Sequence, residues 1–152
     1  MSDDETKQVK YLTHQYPIWR DQADYLLMAD VEGDMEQLWA RKLTETTFMI
    51  CCIPFFIYDV ALGDTVEAID DQVTRVVERS GRYVFRIMFA DESLHEMIRI
   101  VQGLASRGAQ VERSSLHMLA IDAPNADIAT DVRSWLEELH SAGLLEYETG
   151  WL

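Results

Sequence analysis

The sequence predicts an α+β fold in which a short-stranded curled sheet or small barrel is followed by a ferredoxin-like βαββαβ sandwich. Short segments rich in β-branched and aromatic residues, separated by turn residues, occupy the middle of the chain up to residue 82. After residue 82, extended segments alternate with two amphipathic helical patterns in the order strand, helix, strand, strand, helix, strand. The hydrophobic content of 48% is sufficient for a core.

Three regions can be distinguished along the chain. Residues 1–36 are expected to form an N-terminal arm with a short strand or helix. Residues 37–82 are expected to form a strand-rich subdomain, and residues 83–152 the ferredoxin-like α/β sandwich. Because no linker rich in Pro or Gly separates these regions, we expect them to pack as one integrated unit.

The first half is expected to consist of short strands connected by turns. Residues 47–58 (TFMICCIPFFIY) are rich in β-branched and aromatic types and too short for a buried helix, which predicts a core strand that ends or bulges at Pro54. Gly63-Asp64 is predicted to be a turn, because glycine readily takes a positive φ and aspartate bonds the local backbone. The predicted strands of this half cover residues 25–31, 37–43, 47–58, 65–69 and 73–79.

In the second half, a strand over residues 83–90 leads into the first helix. Asp91 or Ser93 is expected to cap this helix by accepting a backbone N–H. Gly108 is expected to end it. Helical spacing predicts the residues of its core-facing side: Leu94, Met97, Ile98, Val101, Leu104 and Ala105.

Two strands, a second helix and a last strand complete the predicted sandwich. The two strands cover residues 109–114 and 115–122, after which Pro124-Asn125 interrupts the chain. The second helix is expected to stop at Gly143, and the last strand covers residues 144–150. The apolar side of the second helix is predicted to contain Ile128, Val132, Trp135, Leu136 and Leu139.

The protein is strongly acidic, with a formal net charge of −14 from 27 acidic and 13 basic residues. Proteins that bind nucleic acids carry clustered Lys and Arg, so DNA, RNA and anionic membranes are not expected as ligands. A basic protein partner is the electrostatic complement. The acid excess lies toward the ends of the chain, since residues 1–37 hold nine acidic and three basic residues and residues 91–152 hold eleven and four.

The sequence favours a cytoplasmic protein. The first ten residues, MSDDETKQVK, lack the basic and apolar regions of a signal peptide. No apolar run reaches the about 20 residues that a membrane helix needs. The two cysteines are expected to be reduced.

No catalytic, metal or cofactor site is predicted. Cys51 and Cys52 are adjacent, so in a strand they point to opposite faces, and no further cysteine completes a metal site; both are expected to be buried. Ser115, His117 and Asp122 lie near each other in sequence, but a catalytic triad there lacks a nucleophile elbow and an oxyanion hole. No HxH or HExxH pattern connects the four histidines, His14, His95, His117 and His140.

Arg86 is a basic residue placed among apolar strand neighbours, beside Val84 and Met88. It is predicted to pair with an acid across the sheet. The alternative is that it binds an anion in a pocket between the helical layer and the curled sheet.

Several stretches of the sequence are similar to a bacterial domain family of unknown function. They are LWARK (38–42), IPFFIYDVALGDTVEA (53–68), ERSGRYVFRIMF (78–89) and GLLEYETG (143–150). The resemblance covers most of residues 37–150 and leaves the arm outside. It implies one integrated domain and brings no catalytic residue with it.

The leading functional hypothesis is a non-enzymatic acidic binding protein, such as an immunity protein that masks a basic toxin or effector. One alternative is a ligand-sensing or regulatory module, and another is an uncharacterised enzyme. Trp19 and Trp151 are expected either to anchor the partner or to pack onto the body. The predicted partner-binding residues are Trp19, Asp21, Asp24, Asp30, Glu32, Asp34, Glu36, Asp127, Asp131, Glu137, Glu138 and Trp151.

Overall fold

Two β-sheets and two α-helices make up the part of the chain, residues 8–151, that the computed structural model describes. Residues 1–7 of the predicted arm lie outside this range. The strands are β1 (Tyr11–Leu12), β2 (Tyr25–Val31), β3 (Asp34–Lys42), β4 (Thr47–Ile50), β5 (Thr65–Ile69), β6 (Gln72–Glu78), β7 (Tyr83–Met88), β8 (Gln110–Arg113), β9 (Met118–Ala123) and β10 (Glu146–Trp151). The helices are α1 (Met97–Ser106) and α2 (Ala126–Ser141).

The first sheet closes on itself as a small barrel. Its strand order is β1-β3-β2-β6-β5-β4, and β3 also pairs with β4, so that β3, β2, β6, β5 and β4 form a ring. Irregular register near Val66 and Ala68 in β5 adds the local bend that closure requires. The interior is filled by inward-facing side chains, including Leu27, Ala29, Leu38, Ala40, Phe48, Ile50 and Val66. The predicted curled sheet or small barrel is confirmed.

The barrel starts earlier in the chain than residue 37. Strand β2 pairs antiparallel with β3, from Tyr25 opposite Ala40 to Val31 opposite Asp34. The arm before them contributes β1, which runs parallel to β3 with Tyr11 opposite Met35.

The second sheet and both helices form the ferredoxin-like sandwich. Its antiparallel strand order is β10-β7-β9-β8, which confirms the predicted βαββαβ arrangement. Both helices pack on the same face of this sheet, against Phe85, Ile87 and Ile121. Asn125 caps α2, because its side chain accepts a hydrogen bond from the backbone N–H of Ile128.

The start of α1 differs from the prediction. Residues Asp91–Glu96 form a 3-10 turn, and neither Asp91 nor Ser93 makes a side-chain cap there. The α-helix begins only at Met97, so its buried side contains Ile100 and Leu104, whereas Ile98 is 73% exposed. The predicted position of Ile98 in the core is wrong, because the tighter 3-10 turn shifts the rotation of the residues that follow it.

The predicted strand over residues 47–58 is also wrong beyond Ile50, where β4 ends. Residues 51–64 form an irregular segment between the barrel and the sandwich. Within it, Ile53, Phe55 and Leu62 pack against the face of the second sheet that points away from the helices, at Val84 and Ala120.

Neither helix found within residues 8–151 has the length and apolar character needed to cross a membrane.

Candidate functional site

A buried histidine lies between two buried carboxylates where the barrel meets the sandwich. His14 comes from the arm, Glu36 from β3 and Glu112 from β8. The imidazole Nε2 is 2.7 Å from Glu36 Oε2, and Nδ1 is 2.9 Å from Glu112 Oε1. The Phe55 ring stacks on the imidazole with 3.7 Å between centroids. The three charged side chains, with at most 2% exposure, therefore connect three distant parts of the chain.

The same two carboxylates bind the backbone of the irregular segment. Glu36 accepts hydrogen bonds from the N–H groups of Phe55, Phe56 and Ile57, at 2.7 to 3.0 Å. Glu112 accepts the N–H of Ile53 at 2.5 Å. Because these N–H groups donate to side chains, they are not available to a neighbouring strand, and the segment leaves the sheet.

His14 is protonated at neutral pH. Burial by itself would lower the pKa of the imidazole, but its polar contacts, those with the carboxylates of Glu112 and Glu36 among them, outweigh burial and raise that pKa. Burial raises the pKa of the Cys52 thiol, so this thiol is neutral and the two carboxylates supply the charge that His14 matches. Burial opposes ionisation of Glu36 as well, yet the hydrogen bond from His14 lowers the pKa of its carboxyl.

This arrangement is suited to holding structure rather than to catalysis. Both ring nitrogens of His14 are engaged, and the side chain is inaccessible to solvent. The nitrogens point in opposite directions, so Glu36 and Glu112 do not converge with them on one metal ion. Among the residues described, no three His, Cys, Asp or Glu side chains are arranged to hold a metal.

Arg86 binds the carbonyl groups of the same segment. Its guanidinium donates to the carbonyl oxygens of Pro54 and Ile57. Nη1 is 3.5 Å from Glu148 Oε1, and Glu148 lies directly opposite Arg86 in β10. The predicted ion pair across the sheet is confirmed. Glu36 and Glu112 thus bind N–H groups of the irregular segment, and Arg86 binds two of its carbonyl groups. All three of these charged residues are buried.

The Gly63-Asp64 turn has the predicted structure. Gly63 has a φ of +82°, and a Cβ there would lie 3.0 Å from Ser80 Cβ. The Asp64 carboxylate accepts the N–H groups of Ala61 and Ser80 at 3.0 and 2.8 Å. It also pairs with Arg79 at 3.0 Å. Asp64 therefore ties the end of the irregular segment to the residues just before β7.

Cys51 and Cys52 are free and fully buried, as predicted. They were expected in a strand, but they lie in the irregular segment that follows β4. Burial raises the pKa of the Cys51 thiol to about 11, which makes it a poor nucleophile at neutral pH.

The residues of the rejected triad are held apart by other partners. Asp122 is buried and accepts two hydrogen bonds from Arg82, at 3.0 and 2.8 Å. His117 lies 2.5 Å from Asp91, and Ser115 is exposed.

A pocket of about 190 Å³ opens beside Arg86, where β7 and β10 reach the end of the sheet nearest the irregular segment. We call it the Met88 pocket, after its most exposed apolar residue. Met88, which is 52% exposed, stands between Met118 in β9 and Glu146 in β10. The pocket is lined by Phe56, Arg86, Met88, Met118, Glu146, Tyr147 and Glu148.

The chain matches the family described as a domain of unknown function, DUF4265, over residues 36–147. The chain belongs to this family. The family match begins at Glu36 and includes Glu112 and Arg86, whereas His14 lies outside it. No curated protein shows a significant match to this DUF4265 protein.

A solved structure shares the fold of this DUF4265 protein. It is titled "Novel crystal structure of a hypothetical protein from Neisseria gonorrhoeae" and has a TM-score of 0.67. The two sequences are 21% identical, and the similarity covers 84% of this chain and 94% of the other. At this identity the likeness supports the α+β architecture alone.

Glu36 is the clearest correction among the predicted partner-binding residues. It is 0% exposed and hydrogen-bonded to His14, so it is unable to contact a partner. Its position carries a sequence signal, because Glu36, Leu38 and Ala40 occupy alternate positions of β3 and therefore share the inward face. No comparable pattern points to His14, which lies in irregular backbone.

Several other predicted acids have intramolecular partners. Asp24, Asp30 and Asp34 accept the backbone N–H groups of Lys42, Gly33 and Lys10, respectively. Asp131 lies 3.6 Å from Arg107, and Glu137 accepts the Tyr147 hydroxyl at 2.6 Å. Four predicted acids are exposed and their carboxylates make neither a hydrogen bond nor an ion pair among residues 8–151: Asp21, Glu32, Asp127 and Glu138.

The predicted acids do not form one surface. Asp21 and Glu32 lie on or beside the barrel, whereas Asp127 and Glu138 lie on α2. Helix α2 covers the face of the second sheet that points away from the irregular segment. The acids on the barrel and the acids on α2 therefore lie on opposite sides of the protein.

Trp19 and Trp151 pack onto the body of the protein. Both are half-buried against the apolar cluster around Ile53. Arg82 lies over the Trp19 ring at 5.0 Å, and Arg79 lies over the Trp151 ring at 3.7 Å. Of the two expected roles, their geometry supports packing.

Proposed function

We propose that this DUF4265 protein is a non-enzymatic binding protein for a basic protein partner. An immunity protein that masks a cationic toxin in the cytoplasm is the specific form of this function that we favour. The observation that supports it is the charge at the surface, where, among residues 8–151, exposed carboxylates without a Lys or Arg partner outnumber exposed bases without a carboxylate partner.

Six arginines within residues 8–151 form ion pairs with carboxylates of the same chain, several of them at the surface. Arg82 and Arg86 are mostly buried, with side-chain exposures of 19% and 2%, and they pair with Asp122 in β9 and Glu148 in β10. The arginines that form ion pairs within residues 8–151 are Arg75, Arg79, Arg82, Arg86, Arg99 and Arg107.

The exposed charge that remains is predominantly negative. In the same range, the exposed carboxylates without a Lys or Arg partner are Asp21, Asp24, Asp30, Glu32, Asp59, Asp70, Asp71, Glu78, Asp91, Glu92, Asp127, Glu137, Glu138 and Glu146. The exposed bases without a carboxylate partner are fewer: Lys10, Arg20, Arg41, Arg113 and Arg133. Such a surface attracts a cationic protein, raises its association rate and disfavours anionic competitors.

The geometry gives less support to the alternatives. The only histidine that bridges carboxylates in the described residues, His14, is closed to solvent and already paired. At Arg86, where the ligand-sensing alternative places its site, the Met88 pocket has about 190 Å³, which is smaller than the roughly 300–1,000 Å³ typical of sites for small molecules.

A capture experiment followed by a binding measurement tests the function. The immobilised protein is exposed to a lysate of its own cells at about 0.03 M and about 0.3 M salt, since exposed charges are screened within about 10 Å at 0.1 M. Each retained protein is identified, purified and titrated against the DUF4265 protein. We expect a basic protein that binds in a stoichiometric complex, with an association rate that falls as salt rises.

Matched charge reversals locate the surface that the partner uses. Asp21→Lys with Glu32→Lys alters the barrel side, and Asp127→Lys with Glu138→Lys alters the helical side by the same charge. We expect one pair to slow association more than the other. If no purified basic protein binds at either salt concentration, the proposed function is wrong.

A further inference from the structure

We infer, building on the function proposed above, that the Met88 pocket receives one arginine or lysine side chain of the basic partner. The pocket has apolar walls, an acidic mouth and the volume of a single long side chain. These three properties match a side chain with an aliphatic stem and a cationic head.

The walls of the pocket are apolar and adaptable. Met88 is 52% exposed at the end of β7, a central strand of the second sheet that is flanked by β9 and β10. Met118 and Phe56 form the adjoining walls. Methionine side chains are flexible and polarizable, so they adjust to the stem of an incoming side chain. Lys and Arg bury such stems along apolar surfaces while their heads stay near water.

The charges at the mouth favour a cation. The positive charge of Arg86 is already matched by Glu148 and by the carbonyl groups of Pro54 and Ile57. Glu146 adds a second carboxylate at the rim, with 80% of its side chain exposed and His140 at 3.6 Å as its neighbour. With two carboxylates and one guanidinium, the pocket is net negative, so it repels an anion and attracts the head of Lys or Arg.

The volume of the pocket favours a side chain over a free metabolite. About 190 Å³ is enough for one large side chain and is below the usual range of small-molecule sites. An anchor residue inserted in a pocket of this kind is the typical centre of a protein interface.

Methyl NMR of methionine tests the inference without a known partner. The protein is labelled at the methionine methyl groups and titrated with capped arginine, lysine, norleucine and glutamate, each blocked at both ends. We expect arginine or lysine to shift the Met88 and Met118 signals at millimolar concentration. Norleucine is expected to shift them less, and glutamate least. The methyl groups of Met28, Met35 and Met49, which lie in the barrel, serve as internal controls.

Two substitutions form a matched comparison. Glu146→Gln removes the rim carboxylate and is expected to weaken binding of the capped cations by about fivefold. Glu138→Gln removes an exposed carboxylate on α2 and is expected to leave that binding unchanged. Equal shifts from the cationic and the neutral ligands, or a larger response to capped glutamate, overturn the inference.

The outcomes separate this inference from the proposed function. If a basic protein binds while the Met88 and Met118 signals stay unchanged, the pocket is not the anchor site, yet the function stands. If the capped cations bind the pocket but no basic protein binds at all, the function is wrong while the pocket retains its preference for cations.

Discussion

Replacing His14 by Gln is expected to be among the most destabilising single changes in this protein. The substitution removes the positive charge that lies 2.7 and 2.9 Å from two buried carboxylates. Breaking a buried ion pair costs about 3–5 kcal/mol, because the remaining charge stays buried without a partner. A domain of this size is stable by about 5–15 kcal/mol, so a large part of the free energy of unfolding is lost.

The same group makes stability depend on pH in the neutral range. The folded pKa of His14 is raised above the value of about 6.5 in an unfolded chain. The stabilisation is therefore complete below pH 6.5 and declines as pH rises from there to the raised folded pKa. Between pH 7 and pH 8 the folded state binds nearly one proton more than the unfolded state, so the wild-type protein is expected to lose about 1 kcal/mol.

A double substitution isolates this effect. His14→Gln combined with Glu112→Gln removes one positive and one negative charge, and it leaves Glu36 bound to three backbone N–H groups. We expect the double variant to be less destabilised than His14→Gln alone and to lose the decline between pH 7 and pH 8. The cysteines are present in both proteins, so their contribution cancels.

Urea unfolding at pH 7 and pH 8, followed by tryptophan fluorescence and far-UV circular dichroism, measures these differences. A wild-type free energy of unfolding that is the same at both pH values would show that His14 is neutral in the folded protein. A cost below about 1 kcal/mol for His14→Gln would show that the carboxylates do not depend on it.

Three further predictions concern other parts of the structure. Gly103→Ala is expected to destabilise the protein by about 1–3 kcal/mol in thermal unfolding, despite alanine's higher helix propensity, because the new Cβ would lie 2.3 Å from Trp135. Asp64→Ala is expected to cost about 2–4 kcal/mol in urea unfolding, because it leaves two backbone N–H groups and Arg79 without their acceptor. Cys51 and Cys52 are expected to react with a thiol reagent at pH 8 only after denaturation, because both are buried.

Matched changes test each of these reasons. Ser106→Ala, an exposed change on the same helix as Gly103, is expected to leave the thermal midpoint nearly unchanged. Glu78→Ala removes an exposed carboxylate opposite Thr65, next to Asp64, and is expected to cost less than about 0.5 kcal/mol. Rapid reaction of either thiol in the native protein would show that the segment around it opens in solution.

The sandwich could be predicted from the sequence because its signals are local. In β7, Phe85 and Ile87 alternate with Val84 and Arg86, and this period of two is visible without knowledge of the fold. The cross-sheet partner of Arg86 followed from the same reasoning, since a buried guanidinium requires a charged or carbonyl partner.

The site around His14 could not be predicted in this way. His14 and Glu112 are 98 positions apart, and neither is part of a motif. The sequence favoured a strand for residues 51–58 because their composition is that of a core strand. The carboxylates of Glu36 and Glu112, which come from two different sheets, take up the backbone N–H groups that a strand would have used.

By itself, the sequence determined the α+β class, the order of strands and helices after residue 82, the turn at Gly63-Asp64 and the acidic character of the chain. These depend on periodicity, turn chemistry and composition, which act over a few residues. Only the tertiary structure decided that Glu36 is buried, that residues 51–64 leave the sheet and that the Met88 pocket forms. Each of these depends on which distant charges and strands meet, because a buried polar group is stable only where its partner is positioned.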